Sequence, residues 1–438
     1  MEASHRIQKE EFHSNNLGSG FCETTVLTFI APLGLLVSER LRDMLPKGSH
    51  FFIQMFFFMT LFTLSVFEIL NAYIACIILL SILLLLGKSS SPVHKSVDPA
   101  VKEYESHKKS DTFTVIKLMT LVLTVVCILA VDFPQFPRKY GKTTMFGYGL
   151  MDIGVGMFAY LNGVVCYIRH VNNRRKKPLL PKLLTLLLGY VRLVWLKFFN
   201  YHTTDVEYGK HFNFFSILSS LALLSGLVPP SRSNSIIMCI LGSVISVFVT
   251  QKYRSYVFYD LERTTFLTSN VEFFISISGF VTIFYFSGIY IDLVIKIEKL
   301  IKENQILKAL RRMLILYISF AILPIIYPPS RRLCDLSYVS WTMFMISGVS
   351  FVSLLIMHFF DIEYAGVLTN SALSNQMYSF LFANLLVGNI NINVNTLSLS
   401  IGETLLYNTL YQFGVSLFMV SAFFNKPLTQ LNPKNDSK

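Results

Sequence analysis

Charge is what this sequence has least of. Only 15% of its 438 residues are Asp, Glu, Lys or Arg, while 53% are hydrophobic. A soluble domain carries roughly 25% charged residues, so this composition excludes a water-soluble globule and a disordered chain. A mean hydropathy of +0.53 indicates a polytopic membrane protein. Paired cysteines are missing as well. The six cysteines stand singly, with no CxxC and no Cys/His spacing, so neither a disulfide framework nor a metal site is expected. The first 20 residues are polar and mixed in charge, unlike a cleaved signal peptide, and the first apolar helix is expected to direct insertion. The chain also lacks GxSxG, Walker, HExxH and DHHC sequences, which removes the usual signatures of serine hydrolases, NTPases, zincins and protein palmitoyltransferases. No nucleic-acid motif is present. The absence of a repeat of 20–50 residues, or of two-half symmetry, disfavours many transporter folds.

What the sequence has instead is apolar runs. A helix needs about 20 apolar residues to cross the hydrocarbon core. Thirteen runs approach that length, at about 22–38, 51–67, 70–86, 113–132, 150–168, 179–197, 212–228, 234–250, 272–292, 312–328, 337–357, 373–390 and 402–423. The stretch 51–86 is too long for one span, and Glu68 with Asn71 predicts a tight turn inside it. The fold class expected is therefore all-α, a transmembrane bundle of about 13 spans with short loops.

The net charge of +12 is explained by where the cations fall. With thirteen spans, the face opposite the N-terminus carries 24 Lys and Arg and the N-terminal face carries 12. The positive-inside rule then puts the N-terminus outside the cytosol and the C-terminus inside it. The sequon at Asn435 faces the cytosol in that arrangement and is expected to stay unused. We expect one integral membrane domain over 1–438. Its parts are a lumenal tail at 1–20, a flexible cytosolic loop at 87–112, an amphipathic cytosolic helix at 293–312 and a cytosolic tail at 425–438.

Ionisable groups at membrane depth are costly and so invite a functional reading. The richest stretch is ILAVDFPQFPRKYGKTTMFGYGLMDIGVG, 128–156. Its span ends at Asp132, and Pro134 and Pro137 cannot continue a helix. Arg138, Lys139 and Lys142 follow, and Asp152 opens the next span. A desolvated carboxylate beside a lysine has the parts for acyl transfer, one to accept a proton and one to stabilise an oxyanion. A headgroup-facing loop with a salt bridge accounts for the same residues. On the same face lies NYHTTDVEYGKHFNFF (200–215), with His202, Asp205, Glu207, Lys210, His211 and Asn213, open to acid–base work or to interfacial anchoring. Asn270 and Glu272 open another span, where helix capping is sufficient reason for them. Asn384, Asn391 and Asn395 are suited to helix glue or to sugar binding. Arg174, Arg175, Lys176 and Lys177 could receive phosphates, though the positive-inside bias explains them equally.

These stretches resemble, in order, the motifs of the GPI-anchor inositol acyltransferase family, which includes the fungal anchored-wall transfer proteins and the animal PIG-W proteins. VDFPQFPRKYGKTTMFGYGLMDIGVG is similar to the family's signature loop. KEEFHSNNLGSGFCE, NYHTTDVEYGKHFNFF, SNVEFFISISGF and ANLLVGNININVNTL are similar to four further family segments, so the resemblance covers almost the whole chain. It implies transfer of a palmitoyl chain from acyl-CoA to the inositol 2-hydroxyl of glucosaminyl-phosphatidylinositol at the endoplasmic reticulum membrane. It also implies a catalytic pair at Asp132 and Lys142, and substrate contacts at Arg138, Asp152, Glu207, His211, Asn213, Asn270, Glu272 and Asn384. No cofactor beyond the acyl-CoA co-substrate, no metal and no nucleic-acid partner is expected; membrane lipids surround the chain. The sequence departs from the family pattern at Thr144, Phe146, Phe212, Val271 and Phe273. A lipid or small-molecule transporter is the alternative.

Overall fold

The computed structural model describes residues 11–12, 16–42, 44–87, 111–172, 183, 186–191, 194, 198, 207–360 and 366–424. Thirteen α-helices order these residues: α1 Phe21–Arg42, α2 His50–Met55, α3 Leu61–Val66, α4 Ala72–Leu86, α5 Asp111–Ala130, α6 Leu150–Val171, α7 Phe214–Leu227, α8 Arg232–Tyr259, α9 Val271–Lys302, α10 Ile306–Ile326, α11 Leu336–Phe360, α12 Val367–Asn393 and α13 Ile401–Phe424. A π-helical segment, Phe56–Thr60, joins α2 to α3 into one rod. No strand occurs among the described residues; Ser19 and Tyr148 form one isolated bridge. The protein is an all-α membrane protein, and α1, α5, α6, α8, α9, α10 and α11 are long and apolar enough to cross a bilayer. The expected span at 179–197, the body of the loop at 87–112 and the tail at 425–438 lie largely or wholly outside the described residues.

Two chain reversals follow from helix-end chemistry without glycine. At Glu68 (φ 57°) the Ile69 amide donates to the Leu64 carbonyl and the Glu68 amide to that of Ser65. This is the double bond pattern of a left-handed helix stop. Asn71 then caps α4 by accepting from the Tyr73 and Ile74 amides, so the turn expected there is present. The stretch 293–312, expected as one amphipathic helix, is instead divided between the end of α9 and the start of α10. Asn304 (φ 60°) makes the same stop, with the Gln305 amide donating to the Leu300 carbonyl and the Asn304 amide to that of Ile301. Periodicity cannot detect such a break, because the apolar face resumes after the turn.

The chain forms two compact units. The first comprises Met1–Thr24, Arg138–Lys296 and Leu314–Ser347, and the second Thr25–Pro137, Ile297–Met313 and Gly348–Lys438. In the second unit, α12 packs most extensively against α13 and α5. Water-free helices are joined there by small polar groups: Gln412 Nε2 donates to Thr63 Oγ1 at 2.6 Å and Tyr411 OH to the Val125 carbonyl at 3.0 Å. A buried carboxylate, Glu39, accepts from the Gly366 amide (3.0 Å) at the start of α12, from Gln54 Nε2 (3.0 Å) and from the Thr369 hydroxyl, and pairs with Arg42 at 3.2 Å. A carboxylate is favoured at a helix N-terminus.

In the first unit α6 approaches α9 closely at Gly163. A Cβ at this position would lie 2.1 Å from the Phe284 carbonyl oxygen and 2.2 Å from Ser287 Oγ. Gly163→Ala is therefore expected to destabilise the protein by about 1–3 kcal/mol through overpacking. Gly388→Ala on α12, where a Cβ would meet nothing within 4 Å, is expected to be neutral or slightly stabilising. Thermal unfolding of the two purified variants in the same detergent checks the contrast.

Candidate functional site

The signature loop is held in place by the N-terminal segment. Asn16 Nδ2 donates to the Lys142 carbonyl at 3.1 Å, and the Thr144 amide donates back to the Asn16 carbonyl at 3.0 Å. Further along, the Ser19 amide and hydroxyl reach the Tyr148 carbonyl at 3.2 and 2.9 Å. This close strapping needs glycine. At Gly147 (φ 136°) a Cβ would stand 2.1 Å from the Leu17 carbonyl oxygen. The undistinguished stretch NLGSG (16–20) is thus a backbone clamp on the loop.

Lys142 is fixed on both sides. Its carbonyl is held by Asn16, and the next residue, Thr143, donates through its amide (3.0 Å) and hydroxyl (2.7 Å) to Asp152 Oδ2. Asp152, with a side chain 1% exposed, pairs through Oδ1 with Arg331 Nε at 2.8 Å. Tyr338 completes this site, donating to the Asp152 carbonyl at 2.6 Å while accepting from the Gly156 amide at 3.1 Å. At its tip, Lys142 Nζ meets Glu207 Oε1 at 2.6 Å. Burial would weaken the charge on Arg331, but Glu207 and then Asp152 outweigh it and raise the guanidinium above its ordinary range.

A second ionic centre lies in the same unit. Glu272, fully buried in the first turn of α9, accepts from Arg332 Nη2 at 2.8 Å and from both terminal nitrogens of Arg263. Asn270 receives the His211 amide at 2.9 Å and meets His211 Nδ1 at 3.0 Å. Asn213 caps α7, accepting from the Phe215 and Ser216 amides, and donates to the Gly189 carbonyl at 2.9 Å. Arg138 lies over the Phe12 ring at 3.9 Å. Phe212 and Phe273, both departures from the family pattern, stack on each other with centroids 3.9 Å apart. His202 and Asp205, and Arg174 to Lys177, fall outside the described residues.

Asp132 belongs to the second unit and Lys142 to the first. Asp132 is 4% exposed, just past the end of α5, and Asn391 Nδ2 donates to its Oδ2 at 2.7 Å. Of the three asparagines singled out in the C-terminal motif, Asn391 is the one whose amide donates to Asp132. Asn384 instead donates to the Phe380 carbonyl of its own helix.

Sequence reasoning missed the segment 329–335. The Pro329 carbonyl accepts from the Gly147 amide, and Ser330 Oγ donates to the Met145 carbonyl at 2.7 Å. Arg331 and Arg332 then enter the two ionic centres. One signal was available: the charge count assigns these arginines to the face expected to be poor in cations, where the positive-inside rule gives no reason for them.

The sequence model of the GWT1 family matches residues 5–422. The chain belongs to the GWT1 family. It is 30% identical to GPI-anchored wall transfer protein 1 of Schizosaccharomyces pombe, over 94% of this chain and 96% of that protein. The protein of that name from Kluyveromyces lactis is 28% identical, over 81% of this chain and 82% of its own length. The Candida albicans protein, again of that name, is 26% identical, over 91% and 94%.

In this GWT1 chain a cleft of about 220 Å³ opens beside the signature loop, lined by Phe146, Thr250, Gln251, Arg254, Leu333 and Asp335. The Arg254 guanidinium stands 4.4 Å over the Phe146 ring. Asp335 caps α11 through the Tyr338 amide at 2.8 Å, and desolvation pushes its carboxyl up to about 6. The raised value means that the folded state prefers the protonated form. What this group contributes to stability is present below its ordinary value near 4 and is lost as pH rises to about 6. Asp335→Asn keeps the cap without the charge, so its stability relative to the parent should rise over that window by on the order of 3 kcal/mol and then level off. Unfolding midpoints of both proteins across pH 4–7 measure this.

Proposed function

We propose that this chain transfers a fatty acyl group, palmitoyl in the first instance, from acyl-CoA to the inositol 2-hydroxyl of glucosaminyl-phosphatidylinositol. The reaction would be a step of GPI-anchor biosynthesis in the endoplasmic reticulum membrane. The observation that carries this reading is the clamp on Lys142. Backbone bonds from Asn16 and to Asp152 fix the lysine on both sides while its ammonium remains partly exposed. Such expenditure of structure on one surface lysine suits a group that must meet a reacting atom in a set place. Membership of the GWT1 family and the names of its fungal members support the pathway.

In the proposed mechanism Asp132 accepts the proton of the inositol hydroxyl as its oxygen attacks the thioester carbonyl. Asn391 holds the carboxylate by one oxygen. Lys142 stabilises the tetrahedral oxyanion. The C–S bond then breaks and CoA leaves as the thiolate, which takes up the proton. The acyl group passes directly to the acceptor, so no acyl-enzyme intermediate is needed. The donor and the acceptor lipid are the partners proposed, with the clustered loop residues on the lumenal side.

The test uses membranes from cells lacking their own inositol acyltransferase, supplied with glucosaminyl-phosphatidylinositol and labelled palmitoyl-CoA. Wild type should form acylated inositol lipid, and Asp132→Asn should lose at least about a hundredfold in rate at unchanged expression and unfolding temperature. Wild-type activity in Asp132→Asn overturns the assignment of the base. No transfer by well-expressed wild type overturns the acyltransferase reading in favour of lipid transport.

A further inference from the structure

An ammonium stabilises an oxyanion only when its own charge is available. In this structure Lys142 Nζ is 2.6 Å from Glu207 Oε1, a contact that neutralises much of that charge. A lysine serving as the proposed reaction requires must therefore give up Glu207 at the moment of reaction, and something must take the carboxylate from it.

The surroundings identify the competitor. Side-chain exposures are 40% for Lys142 and 22% for Glu207, whereas that of Arg331 is 2%. The first two can therefore move and the third cannot. Arg331 is anchored through Nε to Asp152, which in turn holds Thr143, the neighbour of Lys142. Its Nη1 is buried and makes no hydrogen bond to any described residue. A buried guanidinium nitrogen without an acceptor is a costly arrangement that a nearby carboxylate relieves. Glu207 is nearby: the next residue, Tyr208, lies under the Arg331 guanidinium, which stands 5.6 Å from the ring centroid. Thr143, Asp152 and Arg331 thus form a path that starts at the backbone of Lys142 and ends at the ring of Tyr208, the neighbour of Glu207.

We propose that Arg331 is a positioning residue for Lys142, competing for the Glu207 carboxylate so that the ammonium is released to the reacting carbonyl. The inference rests on the role proposed for Lys142 above, but it concerns the state of the lysine and can be read without turnover. Rotation of Glu207 toward the spare Arg331 nitrogen frees Lys142, and rotation back re-engages it. No bond is made or broken, and the net charge of the group is unchanged.

The experiment measures how fast Lys142 is acetylated by an N-hydroxysuccinimide ester at fixed pH in the purified, detergent-solubilised full chain. Peptide mass spectrometry reads the rate, with the exposed Lys252 as the internal standard. Glu207→Gln should speed labelling of Lys142 severalfold, since its carboxylate partner is gone. Asp152→Asn combined with Arg331→Gln removes both halves of the buried pair and leaves no uncompensated charge. In that protein labelling should slow severalfold, because Arg331 no longer competes with Lys142 for Glu207. Turnover should fall about tenfold to a hundredfold with KM for acyl-CoA unchanged. Arg331→Lys with Asp152 retained should recover part of both and covers the case in which the double variant fails to fold. Labelling at the parental rate in Glu207→Gln, or in a stably folded Arg331 variant, overturns the proposal. If the wild type transfers no acyl group, the acyltransferase reading fails, yet the labelling rates still decide whether Arg331 controls Lys142.

Discussion

The ion pair between Asp152 and Arg331 is the contact on which the first unit depends. Two charges at 1% and 2% side-chain exposure gain little in net stability from each other, because both have left water. Removing one is a different matter, since it strands the other in a medium that cannot solvate it. The pair therefore acts as a constraint more than as a source of stability. Asp152 can take Thr143 and hence fix Lys142 only while Arg331 neutralises it. Arg331 can stand over Tyr208 only while Asp152 holds its other edge. Tyr338 then ties the Asp152 backbone to the start of α11.

The adjacent arginines divide their work. Arg331 enters the centre beneath the signature loop, and Arg332 enters the one at the start of α9, where Glu272 also benefits from the helix N-terminus. One short segment thus fixes two loops that carry the family motifs. Its tightness shows in the backbone: Cys334 has φ 47°, and Gly279 of α9 lies so close that a Cβ there would be 1.8 Å from the Cys334 carbonyl oxygen. Residues with no chemistry of their own are conscripted by this crowding.

Most of the helical framework was legible because span length and hydropathy are local properties. The turn at Glu68 and Asn71 was legible for the same reason, being written in side chains that break or cap helices. The charge count assigns the loops at 133–149, 200–213 and 251–271 to one face; in the structure residues 138–149, 207–213 and 251–271 belong to the first unit, whereas 133–137 belong to the second. What stayed hidden depends on partners distant in sequence. Nothing local distinguishes Arg331 from any loop cation, and Asp152 and Tyr338 are 186 residues apart. Nor could spacing tell that Asn391 rather than Asn384 meets Asp132, since that depends on where α12 stands against α5. The break at Asn304 was hidden by an apolar face that continues past it.

The long reach from Asp152 to Arg331 also has a consequence in time. The chain is made from the N-terminus, so α6 is complete long before residues 330–335 exist. Until then the Asp152 carboxylate opens an apolar helix with no cation to meet it, and the clamp on Lys142 lacks its anchor. The signature loop is thus made well before the residues that anchor it, and it takes its final form only after they appear. A ribosome stalled before α11 leaves a chain already threaded through several helices but with this loop unanchored.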